Sequence, residues 1–124
     1  MLAIKSIFAQ SDNIDTVIFD EIDTGVSGEA ASKIAVKLSQ VANRVQVLCI
    51  THLAQIAAFA DEHKFLHKEE RDGKTYTCIE SLDREGRTAE LARINFGVTP
   101  GKLQLTSAGQ MIADAEKIKK ENNR

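Results

Sequence analysis

The sequence predicts an α/β fold in which parallel strands with flanking helices are followed by an antiparallel hairpin and two further helices. Three observations carry that prediction. Two short runs, 15–20 and 45–50, hold consecutive apolar residues (Val17-Ile18-Phe19 and Val47-Leu48-Cys49-Ile50), and each precedes a stretch with helical spacing. An Asp-Gly pair at 72–73 separates two strand-like segments. Ser107-x-x-Gln110 has the form of a capping box in front of a last helix.

Taken in order, the chain opens with Met1, Leu2, Ile4, Ile7 and Phe8 at helical spacing and nothing to cap their start. That uncapped start is expected of a piece whose natural chain extends upstream. Asp15 to Asp20 reads as a strand ending in acid. Ser27 to Ala42 reads as a helix, with Ser27 as N-cap and Ile34, Ala35, Leu38, Val41 and Ala42 on one face. Val45 to Ile50 is a second strand, and Leu53 to Ala60 returns to helical spacing. Strand, helix, strand, helix with short connections is the pattern of a parallel sheet. Strands apolar on successive residues are expected where both faces are covered.

Lys64 to Glu70 and Lys74 to Leu82 then predict a hairpin added to that sheet. Glu85 to Phe96 is predicted helical, and Gly97 to Lys102, with the single proline Pro100, is a loop. The last helix is predicted from Ser107 to about Lys120, with 119–124 a frayed polar tail. Lys117, Lys119 and Lys120 with Glu116 and Glu121 read as a solvated face.

At 124 residues the chain is long enough for one compact domain, and 43% hydrophobic residues suffice for a core. A net charge of −2 and 5% aromatics argue against bulk electrostatic binding of nucleic acid and against a base-stacking platform. Cys49 and Cys78 are far apart and lack metal-ligand spacing, which fits a reducing cytoplasm better than a disulfide framework. Cys49, inside an apolar strand, is expected to be a buried, inert thiol. His63 and His67 fall in a predicted strand, where their four-residue spacing does not form a helical ligand pair. No apolar run approaches the ~20 residues of a membrane span, so no membrane partner is expected.

The chemistry is concentrated where Thr16-Val17-Ile18-Phe19 delivers Asp20 and Glu21 to a strand's C-terminal end. In open α/β sheets, ligands bind at that end. Paired acids there suit nucleotide hydrolysis: one can hold Mg²⁺ through oxygen, and the other can orient or deprotonate water. Alone, the pair fits acids leaving the core for a solvated turn equally well. Asp23-Thr24-Gly25-Val26-Ser27-Gly28 continues as a glycine-bearing loop before the helix. Ile50-Thr51-His52 ends the next strand, where a histidine can meet a γ-phosphate or simply cap the following helix. If the strands are neighbours, that histidine lies beside the acids.

An apolar strand with two acids, a loop, and Ile-Thr-His at the next strand resembles the late half of ABC/SMC-type P-loop ATPase heads. Phe19 to Gly28, Ile50 to Asp61 and Glu90-Leu91-Ala92-Arg93 are most similar to the RecN family within that class. The resemblance covers nearly the whole chain and implies the C-terminal lobe of a head. It implies Asp20 as the magnesium-associated Walker B acid, Glu21 as the catalytic glutamate and His52 as the switch histidine. Asp23, Thr24, Gly25 and Ser27 would belong to the D-loop, which crosses to a partner head. Many relatives carry aspartate where Ser27 stands, so the loop's contacts lose a charge here.

The resemblance further implies ATP and Mg²⁺ as cofactors of the intact protein, and three partners. These are the N-terminal half of its own head, a second head in a homodimer, and DNA reached through the full-length protein. It implies repair and recombination of DNA double-strand breaks and a cytoplasmic, nucleoid-associated setting. Residues 1–124 contain no Gly-x-x-x-x-Gly-Lys-Ser/Thr phosphate loop and no Leu-Ser-Gly-Gly signature, and the coiled coil is also missing. Without that loop's amides and lysine the phosphates have no cradle, so the isolated chain is expected to be inactive. Half a parallel sheet is expected to leave apolar surface exposed. Two alternatives stay open: a non-catalytic module that docks on an ATPase head, or the head of another SMC-like ATPase.

Overall fold

The computed structural model describes residues 13–97 and 99–123, so the predicted opening helix lies outside the described residues. Strand β1 (Thr16–Asp20) leads through a tight loop into helix α1 (Gly28–Val41), strand β2 (Gln46–Ile50) and the one-turn helix α2 (Ala54–Ala57). Strands β3 (His63–Arg71) and β4 (Lys74–Leu82) follow, then helices α3 (Arg84–Phe96) and α4 (Lys102–Asn122).

β1 and β2 pair in parallel, from Thr16 opposite Gln46 to Asp20 opposite Ile50. Side chains alternate across the pair. Val17, Phe19, Val47 and Cys49 pack toward Ala31, Ala35 and Leu38 of α1, and Phe19 is fully buried. Ile18, Leu48 and Ile50 take the opposite face, where they are 56%, 48% and 60% exposed. The expectation that both faces are covered therefore holds for one face only. Ser27 occupies the N-cap position of α1, though its side chain makes no capping hydrogen bond.

A second cluster joins Leu91 and Ala92 of α3 to Ala108, Ile112 and Ala115 of α4, with Ala54, Ala57 and Ala58 beneath. The alanines let the helices approach closely. Ile56, on the other side of α2, belongs to the β1–α1 cluster, and Phe59 touches both. One helical turn thus bridges the two cores. It is shorter than the sequence predicts because the chain tightens at its end: the Phe59 and Ala60 amides bond three residues back. The carbonyls freed there have partners from the C-terminal helices. Arg87 Nη2 donates to the Ala60 carbonyl at 2.8 Å, and Lys119 Nζ to that of Phe59 at 3.0 Å.

Asp72 and Gly73, with φ of 51° and 74°, form the two-residue hairpin turn their sequence predicts. The hairpin does not extend the parallel sheet, however; β3 and β4 make a two-stranded sheet of their own. α3 is capped by Asp83, whose Oδ1 accepts from the Gly86 amide at 2.7 Å. The final helix begins at Lys102, five residues before the predicted capping box. Its ladder is already running there, since the Leu105 amide bonds the Gly101 carbonyl. Gln110 reaches forward to Asp114 instead of back to Ser107. The end is also firmer than predicted, with helix continuing to Asn122. Lys119 leaves the solvated face to bind the Phe59 carbonyl and, at 2.9 Å, Asp61.

Leu48 and Ile50 side by side on an exposed sheet face give the isolated chain a surface that water disfavours. It is expected to associate with rising concentration in analytical ultracentrifugation, and Leu48→Thr with Ile50→Thr to shift it toward monomer. A parent chain that stays monomeric would contradict the exposure of this face.

Candidate functional site

The site is built at the C-terminal ends of β1 and β2. Asp20 and Ile50 are the last pair in register, so Glu21-Ile22 and Thr51-His52 leave the sheet on adjacent strands. The parallel pairing thus brings the predicted acids and the predicted histidine to one end of one sheet. Asp20, Glu21, Thr24, Gly25 and Ser27 are exposed there, and the His52 side chain is 77% exposed.

Asp23 is different. It is 3% exposed, the only buried charged residue among those described. Its carboxylate accepts from the Thr51 hydroxyl, a very short contact, and its Oδ2 also accepts from the His52 amide at 3.1 Å. His52 Nδ1 lies 3.5 Å from the same oxygen. Thr51 Oγ1 in turn accepts from the Leu53 amide at 3.1 Å, at the start of α2. Asp23 therefore ties the loop after β1 to the end of β2. Burial, the largest single influence, raises its pKa; hydrogen bonds from the Thr51 hydroxyl and the His52 and Asp23 amides, with the charge of His52, together outweigh it and hold the carboxyl below the usual range.

The loop that carries Asp23 inward is sharply turned. Glu21 adopts φ 54°, a left-handed conformation uncommon for a residue with a side chain. Such a backbone costs on the order of 1–3 kcal/mol and persists where its surroundings fix it. Here the Glu21 carbonyl accepts from the Thr24 hydroxyl at 3.0 Å and the Thr24 amide at 3.4 Å. Gly25, at φ 71°, supplies the next left-handed position at no steric cost. The turn brings the chain out at Glu21 and sends Asp23 back under the sheet end.

The Asp20 and Glu21 side chains are exposed. An exposed carboxylate at a strand end is a fitting oxygen donor for Mg²⁺, which keeps several waters and needs few protein ligands. Beneath them, Cys49 is half-buried rather than buried as expected, and its pKa is pushed up to about 11 by burial first, then by the charges of Asp23 and Asp20.

The sequence reading placed Asp23 in a glycine-bearing loop and gave Thr51 no role of its own; the structure makes these two the fastening of the site. The signal available was a threonine directly before a strand-end histidine, with an acid three residues past the first strand. Arg87 and Lys119, which hold the carbonyls after α2, gave no such signal.

The chain is similar in backbone and in sequence to known proteins. The backbone is similar to a solved chain from work on ATP-driven dimerization and DNA-stimulated activation of SMC ATPases. The TM-score is 0.61 at 22% identity, covering 81% of this chain and 58% of that one. The fold is thus α/β, with a parallel strand pair and an antiparallel hairpin, and is similar to that of an SMC ATPase. By sequence, the chain is homologous to the DNA repair protein RecN over nearly its whole length. It is 44% identical over 119 residues to that of Bacillus subtilis, covering 96% of this chain. It is 42% identical to that of Halalkalibacterium halodurans, covering 96%, and 40% identical to that of Treponema pallidum, covering 90%. The chain spans about a fifth of the length of these relatives. No protein-family model matches it. No helix among the described residues is long and apolar enough to cross a membrane.

The Asp23 clamp sets a pH dependence whose sign follows from its depressed pKa. The stability it contributes is complete above the unfolded aspartate pKa of about 3.9 and is lost as pH falls through the lower folded value. Asp23→Asn is expected to cost about 1–3 kcal/mol in urea unfolding at neutral pH. The gap from the parent chain should narrow as the pH drops below 4. A gap that is absent at neutral pH, or that widens in acid, would contradict the clamp.

Proposed function

We propose that this chain is the C-terminal lobe of a RecN-type ATPase head and supplies the hydrolytic residues of a composite ATP site. One observation carries the reading: the parallel register of β1 and β2 sets Asp20 and Glu21 next to Thr51-His52, with Asp23 fastening the two strand ends. In this reading Asp20 holds Mg²⁺, which neutralises charge on the phosphates when bound. Glu21 orients the attacking water and accepts its proton. His52, exposed and held through its backbone amide by Asp23, meets the γ-phosphate.

Thr24, Gly25 and Ser27 lie on the exposed side of the same loop and are proposed to cross to a second head as the D-loop. Asp23, named with them from the sequence, is proposed instead as the positioning residue that sets the loop's course. The phosphate cradle would come from the N-terminal half of the head, and the exposed face at Leu48 and Ile50 gives that half an apolar surface to cover. Two such heads would close on ATP and part after hydrolysis, a population shift driven by contacts to the γ-phosphate. Relatives named for DNA repair support placing this cycle in DNA repair, with recombination of double-strand breaks as the proposed process. The same relationship supports a cytoplasmic, nucleoid-associated setting.

In the full-length protein, Glu21→Gln is expected to leave ATP binding intact and to lower turnover about a hundredfold or more. Near-normal turnover would remove Glu21 from its role. The isolated chain is expected to show negligible ATP binding by calorimetry, and micromolar affinity would count against the missing cradle.

A further inference from the structure

The β3–β4 hairpin brings together side chains whose chemistry the ATP site does not use. His67 and Cys78 are directly opposite each other across the two strands. Glu69, two residues beyond His67, points to the same face because side chains alternate along a strand. His67, Glu69 and Cys78 are half-buried, and the ligand atoms they offer all lie within 4.8 Å of one another. His67 Nε2 faces Glu69 Oε1 at 3.1 Å and Glu80 Oε1 at 3.6 Å. Phe65 stacks on the His67 ring, with centroids 5.3 Å apart and planes 18° apart, which fixes the ring's orientation.

We propose that this cluster is a zinc site, with His67, Glu69 and Cys78 as ligands and Glu80 or water in the fourth position. Zinc bonds of roughly 2.0–2.3 Å in a tetrahedron place ligand atoms roughly 3.3–3.7 Å apart. The nitrogen-to-carboxylate separations already lie close to that range, and the remainder can close by side-chain rotation. An imidazole, a thiolate and a carboxylate select zinc over magnesium or calcium, which favour all-oxygen sets. Binding would release the Cys78 thiol proton and replace a contact between a histidine and two acids with a cross-strand clip. Such a clip has a physical use here. The hairpin is a separate two-stranded sheet, and such sheets are marginal in water by themselves.

The test is titration of the reduced chain with Co²⁺, followed by competition of Zn²⁺ against a chromophoric chelator. The expected result is one Co²⁺ per chain with a thiolate-to-cobalt absorption band that Zn²⁺ abolishes. Cys78→Ser should remove the band, and His67→Ala and Glu69→Gln should each weaken zinc binding at least tenfold. Cys49→Ser, in the other sheet, should change neither. Circular dichroism shows which variants keep the fold, and Glu69→Gln, the mildest change, decides should the others unfold. Absence of a thiolate band in the parent chain would overturn the site, as would a band that survives Cys78→Ser or is lost in Cys49→Ser.

Discussion

The structure depends on one buried carboxylate. Asp23 is nearly inaccessible to water, and a charge so placed is tolerated only where hydrogen bonds replace its hydration. The Thr51 hydroxyl and the His52 amide provide them, and both come from the neighbouring strand's end. The interaction therefore does more than solvate a charge. It closes the loop after β1 over the end of β2, fixes the backbone that presents His52, and leaves Asp20 and Glu21 outside. Hydrogen bonds to a charged acceptor are among the stronger ones in proteins, and losing one partner leaves the others unsatisfied. The left-handed turn at Glu21, two residues before Asp23, is fixed by the Thr24 hydroxyl and amide on the Glu21 carbonyl.

A second constraint links the site to the far end of the chain. α2 is only one turn long, yet its residues belong to both cores, Ile56 to one and Ala54, Ala57 and Ala58 to the other. A single turn has little stability of its own, so it stands by packing and by what satisfies its free carbonyls. Arg87 from α3 and Lys119 from α4 take that part. Burial first, and the neighbouring Arg84 next, lower the Arg87 pKa, although a guanidinium stays charged throughout the neutral range. In this way the two C-terminal helices hold the segment that follows His52.

What the sequence made legible was what local pattern controls. The apolar runs into Asp20 and Ile50 are strands, the 28–41 periodicity is a helix, and Asp72-Gly73 is a hairpin turn, because each follows from neighbouring residues. Tertiary contacts decided the rest. The hairpin's separation from the parallel sheet depends on where the chain goes after α2, which no local pattern encodes. The last helix starts at Lys102 because Gly101 offers the first ladder carbonyl, and Ser107-x-x-Gln110 matched a capping box only in spelling. Lys119 looked solvated because its partners lie some sixty residues away at Phe59 and Asp61. At the site, Asp20, Glu21 and His52 were readable as a strand-end constellation. The burial of Asp23 was not legible, since an aspartate in a loop after a strand carries no local mark of burial.

The sheet end holds an acid pair and a histidine, one face of the same sheet is apolar and exposed, and the sequence contains no phosphate loop. The account's central claim is that this lobe completes a hydrolytic site when joined to the other half of its head. The most direct measurement is ATP turnover after mixing this chain with a separately produced N-terminal half. Turnover that appears only in the mixture is the predicted result. No turnover from two folded halves that bind each other would contradict the claim and leave a docking module in its place.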